Sequence, residues 1–443
     1  MLKEQMIDFL KNQNQQGLLD HYHRLRPDGK NIFLEELQGL DLALAFEWYG
    51  KFAQEKDSPR PFSEIQTAPI ITIPETGEEK IRRQEARIVG ESIIRKNEVA
   101  VLIVAGGQGT RLGFEGPKGV FRISPIKQKS LFQLFAEAVK ALSDRYRATI
   151  PLLIMTNEEN QHETRQFFAA HNYFNLDRQT IYFFNQGMLP TLTPEGQLIL
   201  KDDTRLLVNP DGHGGSLKAL HAAGYLQFLM DKGFTELFYC QIDNPLVKIA
   251  DPVFIGYHKM EGAEISTKVV RRQDLQEKVG IYGVVNGKPT IVEYSDFRPE
   301  DYQALDAKGA IRHWAGNTAI HVIDLPFIHR LNQHGFALPY HRAVKEVDGR
   351  GAKMTGWKFE TFVFDAIPLA RKACCLEVIR EEEFAPVKNR EGKDSPDTAR
   401  SAMNHMHRNW LKKAGARLAP EVKVEISPLF ALDEEELVGK LKG

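Results

Sequence analysis

Three glycines followed by two cations carry the plainest chemistry in this sequence. Gly106, Gly107 and Gly109 precede Arg111 and Lys118 in the stretch VAVLIVAGGQGTRLGFEGPKGVF (99–121). Glycines let a backbone approach a ligand with no Cβ in the way, and consecutive exposed N–H groups form an anion-binding concavity. Two cations within about a dozen residues of those amides point to a polyphosphate. The seven apolar residues Val99 to Ala105 read as a strand buried on both faces. Two familiar phosphate loops do not fit. A dinucleotide fingerprint counted from Gly107 finds its third glycine at Gly113, one residue late. A P-loop needs Gly-Lys-Ser/Thr, and this loop has Gly109-Thr110-Arg111. The competing reading of the glycines alone is an ordinary strand-to-helix turn.

With Pro117, Lys118 and Gly119 added, AGGQGTRLG and PKG resemble the signature of the UDP-sugar pyrophosphorylases, nearest to the eukaryotic-type UDP-N-acetylhexosamine branch. The resemblance implies a Rossmann-like nucleotidyltransferase fold. It also implies a nucleotide held by Ala105, Gly106, Gly107, Gly109 and Thr110, with Arg111 and Lys118 as catalytic cations. Further segments match the family. Gln186, in NQGMLP (185–190), is the expected uracil contact, since a glutamine amide offers both a donor and an acceptor to a base edge. NPDGHGG (209–215) is a second glycine-rich loop before a helix start and brings Gly212 to the nucleotide. His213 stands where the acetylhexosamine branch has asparagine and where the UDP-glucose and broad UDP-sugar branches often have histidine.

QIDNPLVKIADP (241–252) matches the family segment whose carboxylate, here Asp243, serves the metal site. A strand-end Asp beside a triphosphate suits Mg²⁺, which takes few oxygen ligands from protein and the rest from phosphate and water. Asp365, in FVFD (362–365) at an apparent strand end, is a second metal candidate. The resemblance places Glu293, Asn317, Phe362 and Phe364 with His213 near the sugar. It places Lys388 of FAPVKN (384–389) on the incoming sugar 1-phosphate; otherwise Lys388 would be a solvated charge near Glu381, Glu382 and Glu383. His405 and His407, two apart on an expected helix, point in different directions and make no metal pair.

The elements that must position these residues follow from periodicity. Expected strands at 99–105, 151–155, 181–185 and 237–242 alternate with expected helices at 130–146, 158–171 and 216–232. That alternation predicts an α/β fold with a mostly parallel sheet and helices on both faces, with ligands at the strands' carboxyl ends. Residues 1–50 read as helices broken at Arg26-Pro27-Asp28-Gly29, followed by a proline-marked connector over 57–77 (Pro59, Pro61, Pro69, Pro74) and a charged helix over 78–97. After Lys388 come a charged linker, a helix through Trp410 and a strand-like VKVEISPL (422–429). The expected organisation is an N-terminal helical module (1–97), a catalytic domain (98–385) and a small C-terminal module (386–443). No repeat or low-complexity segment is found.

Composition excludes several classes. In 443 residues, 58 basic and 59 acidic side chains give a net charge of −1, with no general pull toward nucleic acid or membrane. No apolar run approaches the roughly 20 residues of a membrane span, and the N-terminus lacks a signal-peptide core. Three cysteines, two of them adjacent, give no disulfide framework, so a cytoplasmic enzyme is expected. The oligomeric state is not legible.

The reaction implied is UTP plus a sugar 1-phosphate giving a UDP-sugar and pyrophosphate, with N-acetylglucosamine 1-phosphate as the expected sugar. A phosphomonoester with a second pKa of about 6 is mainly dianionic at pH 7 and needs no general base, so no Ser-His or Cys-His pair is expected. The alternatives are a UDP-glucose or broad UDP-sugar enzyme, motivated by His213, and a non-catalytic UDP-sugar sensor. The retention of Arg111, Lys118, Asp243 and Lys388 together argues against the sensor.

Overall fold

The apolar run before the glycine loop is a strand with Ala100, Val101 and Leu102 fully buried, which requires cover on both faces. The computed structural model describes residues 3–54 and 65–442. Four helices open the chain, α1 (Lys3–Asn12), α2 (Gln16–Arg24), α3 (Pro27–Gly39) and α4 (Leu42–Gln54). The expected break at Arg26–Gly29 falls where Pro27 starts α3, a position at which a missing N–H leaves nothing unpaired. Of the proline-marked connector, 57–64 with Pro59 and Pro61 lies outside the described residues. Past it the chain makes only the isolated bridges Gln66↔Val284 and Ile71↔Leu376. Helix α5 (Gly77–Arg95) is closed by a capping box between Thr76 and Glu79.

The alternating region contains β1 (Val99–Val104), α6 (Leu131–Tyr146), β2 (Leu152–Thr156), α7 (Gln161–Ala170), β3 (Ile181–Asn185), β4 (Met188–Pro190) and β5 (Val208–Pro210). The single helix expected over 216–232 is two, α8 (Gly215–Ala222) and α9 (Tyr225–Asp231), because Gly224 takes φ +77 between them. Next come β6 (Glu236–Gln241), α10 (Pro252–Met260), β7 (Ile265–Arg271), β8 (Ile281–Val285), β9 (Lys288–Val292), α11 (Pro299–Tyr302), β10 (Ala315–Asp324) and α12 (Leu325–Asn332). The chain ends with β11 (His341–Gly349), β12 (Ala352–Glu360), β13 (Ala373–Glu377), α13 (Arg380–Glu383), α14 (Pro396–Lys413) and α15 (Glu434–Lys442).

Two compact units emerge. The larger comprises Pro61–Asn185, Ala219–Phe336 and Ala366–Gly443. Its sheet runs β13-β7-β10-β6-β1-β2-β3, with β8 beside β10 and β9 beside β8. Only β10 runs against the other six strands of that path. The chain leaves β1 toward β2 and β3 and later returns to place β6 on the other flank of β1, so the strand order reverses there, as at the ligand crevices of open α/β sheets. Helices α5 and α10 cross main chain to main chain. A Cβ on Gly256 would lie 1.6 Å from the carbonyl oxygen of Ala86, and one on Gly90 would lie 1.8 Å from that of Pro252. The strand-like 422–429 forms no ladder. Two of its N–H groups are taken by side chains of α14 instead, Val424 donating to Asn404 Oδ1 at 2.7 Å and Ile426 to His407 Nδ1 at 3.3 Å. His407 is buried and His405 exposed, so they do not face a common ligand.

The smaller unit comprises Met1–Arg60, Gln186–Lys218 and Ala337–Asp365. Met6, Leu10, Leu19, Phe33, Leu37 and Phe46 from α1–α4 share one core with Leu189, Leu192, Leu206, Tyr340 and Phe359. The ribbons β4–β5 and β11–β12 supply the strand side of that core. Buried Gln15 stitches it by donating to the Gly196 carbonyl and accepting from Leu198 N–H, at 2.8 and 2.9 Å.

Candidate active site

In the larger unit the glycine loop leaves the carboxyl end of β1. Two asparagines missed by the sequence reading hold its root. Asn157 donates to the carbonyl of Gly106 at 2.8 Å, and Asn160 to that of Ala105 at 3.2 Å. The two also exchange side-chain-to-main-chain bonds, so each fixes the other. Their spacing at the start of α7 is the signal that could have found them. Lys118 N–H donates to Gly107 and Gly109 N–H to Gly116, which folds PKG back over the loop. Among the described residues the N–H groups of Gly106, Gly107 and Gln108 meet no acceptor, and a Cβ on Gly107 would meet nothing within 4 Å. Free amides over open space are what an anion-binding concavity requires. Arg111 is exposed and Lys118 half-buried beside them.

Asp243 follows β6, whose Gln241 is in register with Val104 of β1, so this carboxylate and the glycine loop leave adjacent strand ends. Its half-buried side chain makes no hydrogen bond or ion pair with any described residue. A hard-oxygen donor without a protein partner fits a cation that draws most of its shell from phosphate and water. Val387 joins three expected positions. Its N–H donates to the Asp243 carbonyl at 2.8 Å, and its carbonyl accepts from Lys118 Nζ at 3.3 Å. It also precedes Lys388, which is exposed. Glu382 and Glu383 are engaged elsewhere, with Lys248 and Lys268.

Glu293 and Asn317 meet around Gly280. Asn317 N–H donates to the Gly280 carbonyl at 2.8 Å, and a Cβ on Gly280 would lie 2.9 Å from Glu293 Oε1. Asn317 sits at a register shift in β10, and its Oδ1 accepts from Ala319 N–H at 3.0 Å, bracing the irregular turn. A cavity of about 300 Å³ in this unit is lined by Leu134, Phe135, Met403 and Trp410 and by none of the expected site residues.

One cluster has the composition of a metal site but the wrong place. Glu236, His258 and Asp324 bring their ligand atoms within 4.8 Å of one another. Glu236 opens β6 and pairs with Asp324 at the end of antiparallel β10, so both lie at the amino edge of the sheet. Along β6 that is roughly 20 Å from Asp243. Their hydrogen bonds to one another and to Lys259 tie α10 to the sheet.

The smaller unit carries the other expected residues. Gln186 Nε2 donates to the Gly212 carbonyl at 3.0 Å. Asp211, not anticipated from the sequence, is buried between two glycines. A Cβ on Gly215 would lie 2.1 Å from its Oδ1, and one on Gly187 would lie 2.4 Å from its Oδ2. Burial pushes the Asp211 carboxyl up to about 7, against the pull of the Lys218 ammonium and a hydrogen bond from Gln186. His213 packs against Phe362 and Phe364 at ring separations of 5.3 and 5.7 Å, and His341 stacks on Phe362 at 4.6 Å. Burial, helped by His341, holds the His213 ring down to about 4, so it is neutral at pH 7. Asp365 is not at a strand end but inside the 3-10 turn Val363–Leu369, because β12 stops at Glu360. Its Oδ2 receives His341 Nε2 at 2.8 Å, so this carboxylate, unlike Asp243, already has a partner.

Among the described residues no helix is long and apolar enough to cross a membrane. The profile of the family described as UTP--glucose-1-phosphate uridylyltransferase matches residues 48–437. The chain is 39% identical over 368 residues to the UDP-N-acetylglucosamine pyrophosphorylase of Saccharomyces cerevisiae, covering 79% of this chain and 77% of that one. It is 33% identical to UDP-N-acetylglucosamine diphosphorylase 1 of Arabidopsis thaliana, covering 100% and 91%. The crystal structure of the uridine diphosphate N-acetylglucosamine pyrophosphorylase from Trypanosoma brucei superposes with a TM-score of 0.85 at 27% identity, covering 98% of this chain and 94% of that one. With likeness of sequence and of fold running over nearly its whole length, the chain belongs to the UTP–glucose-1-phosphate uridylyltransferase family.

Proposed function

We propose that the chain joins UTP and N-acetylglucosamine 1-phosphate to give UDP-N-acetylglucosamine and pyrophosphate. The observation that carries this reading is the pairing, on adjacent strand ends, of an amide-lined glycine loop flanked by Arg111 and Lys118 with an uncommitted Asp243. The names of the yeast, plant and trypanosome relatives support the sugar.

The dianionic sugar phosphate attacks the α-phosphorus in line. A phosphate oxygen forms the new P–O bond as the bond to the β-phosphate breaks, and pyrophosphate leaves with its electron pair. No proton needs to be moved, so the protein's part is positioning and charge. The amides of Gly106 and Gly107, with Arg111 and Lys118, receive the charge that collects on the departing pyrophosphate. Lys388 offsets the charge of the incoming phosphate, and Gln186 selects uracil. Glu293, Asn317, His213, Phe362 and Phe364 serve the sugar. Asp243 would hold Mg²⁺, with Asp365 as the second candidate, and the ion would supply positive charge at the α-phosphate. The proposed setting is the cytoplasm.

A UDP-glucose or broad UDP-sugar specificity is the second reading, favoured by His213. A panel of sugar 1-phosphates assayed with UTP and Mg²⁺ for pyrophosphate release decides between them. Fastest turnover of N-acetylglucosamine 1-phosphate supports the first reading, and fastest turnover of glucose 1-phosphate the second. No pyrophosphate from any member of the panel leaves a UDP-sugar binder.

A further inference from the structure

Asn244, next to the proposed metal carboxylate, is buried with 3% of its surface exposed, and both ends of its amide are bonded to main chain. Nδ2 donates to the Glu383 carbonyl at 2.7 Å. Oδ1 accepts from Ala385 N–H at 3.0 Å and from Leu246 N–H at 3.3 Å. With the bond from Val387 N–H to the Asp243 carbonyl, the segment leading to Lys388 is tied at residues 383, 385 and 387 to two consecutive residues just after β6.

The anchor is itself braced. Lys268, wholly buried in β7, donates to Glu383 Oε2 at 2.5 Å and to Asp251 Oδ2 at 2.7 Å. Burial alone would raise the Asp251 carboxyl, but the ammonium groups of Lys268 and Lys248 hold it down to about 2. The Lys268 carbonyl accepts from Thr318 Oγ1 at 2.8 Å, beside Asn317. Glu383 therefore cannot drift, and Asn244 transmits that fixed position to the residues after it.

We propose that Asn244 is a positioning residue, whose amide sets the place of Lys388 relative to the Asp243 carboxylate and so the line along which the sugar phosphate approaches the nucleotide. The inference rests on the role proposed above for Lys388. An amide is required because the site needs a donor and an acceptor on one side chain: aspartate would set a carboxylate against the Glu383 carbonyl, and alanine would leave the Glu383 carbonyl and the Ala385 and Leu246 N–H groups without their partner.

The test is a double-mutant cycle with Asn244→Ala and Lys388→Ala. Asn244→Ala is expected to lower kcat/KM for the sugar 1-phosphate by on the order of 10–100-fold, with KM for that substrate rising and KM for UTP unchanged. In the Lys388→Ala background the same change is expected to cost little more, because its effect runs through Lys388. Full additivity overturns the inference, as does an equal rise in both KM values. Near-normal turnover by Lys388→Ala alone brings down the reading of Lys388 and the inference with it, an outcome distinct from additivity. If Asn244→Ala does not fold, Asn244→Asp keeps the acceptor for Ala385 and Leu246 and replaces the donor to Glu383 with a carboxylate oxygen that faces its carbonyl. The same non-additivity is expected of it, and wild-type kinetics in the folded aspartate variant overturns the proposal.

Discussion

Val363 donates its main-chain N–H to Nδ1 of His213 at 3.2 Å, which places the proton of the neutral ring on Nε2. His213 thus does two things: it supports the turn bearing Phe362 and Phe364, and it presents an N–H donor. Asparagine can keep the acceptor for Val363 while changing the donor's reach. His213→Asn is expected to sharpen the preference for the acetylated sugar by about 1–3 kcal/mol, the cost of an unpaired buried group. The measurement is the ratio of kcat/KM for N-acetylglucosamine 1-phosphate and glucose 1-phosphate. An unchanged or smaller ratio removes His213 from sugar choice.

Asp211 gives the protein a pH dependence of defined sign. Its carboxyl is raised from 3.8 to about 7 in the folded chain, so the native state keeps a proton that the unfolded chain releases. The stability this group contributes is full below the unfolded value and is lost as pH rises through 7. Asp211→Asn cannot ionise and should be more stable than wild type at pH 8, by on the order of 2–4 kcal/mol, with the gap closing toward pH 5. Urea denaturation at the two pH values checks this, and a gap that grows toward acid contradicts it.

Lys118→Ala removes one charge beside the glycine loop and one bond to Val387. A loss of roughly 10²–10³ in kcat/KM is expected, with little change in melting temperature. Near-normal turnover would show that this lysine does not face the departing pyrophosphate.

Asp243→Asn keeps the shape of its strand end and removes the charge. Activity should then need far more Mg²⁺ or vanish, as read from a Mg²⁺ titration of pyrophosphate release. If the variant follows the wild-type titration curve, the cation is held elsewhere and Asp365→Asn is the next variant to assay.

Gly256→Ala places a methyl on the Ala86 carbonyl where α5 and α10 cross. The helices must separate, at a cost of about 3 kcal/mol in unfolding free energy, while kcat per folded molecule stays near wild type. A variant as stable as wild type would mean the crossing can widen freely.

What the sequence disclosed and what it hid follow from locality. Strands β1, β2, β3 and β6 were legible because each is a short apolar run buried on both faces, and the glycine loop because its backbone demands appear in residue type. The split between α8 and α9 was missed, since one left-handed glycine inside an apolar periodicity looks like any other. VKVEISPL alternates as a strand should, yet α14 meets the N–H groups of Val424 and Ile426 through Asn404 and His407, a long-range choice that no window contains. Within the site, Asn157, Asn160, Asp211 and Asn244 were not singled out. Their work is to hold main chain or other side chains, and polar residues in turn-like settings do not announce such partners.

The smaller unit is written in three instalments, and its core cannot close until the last is made. Helices α1–α4 leave the ribosome first, with Phe33 and Phe46 turned toward a partner that includes Tyr340 and Phe359. At 5–20 residues per second those aromatic rings arrive roughly 15–60 s later. For that interval the growing polypeptide carries an apolar helical face whose native cover is incomplete, so its yield in a cell should depend on chaperone supply and on translation speed between the first and third instalments.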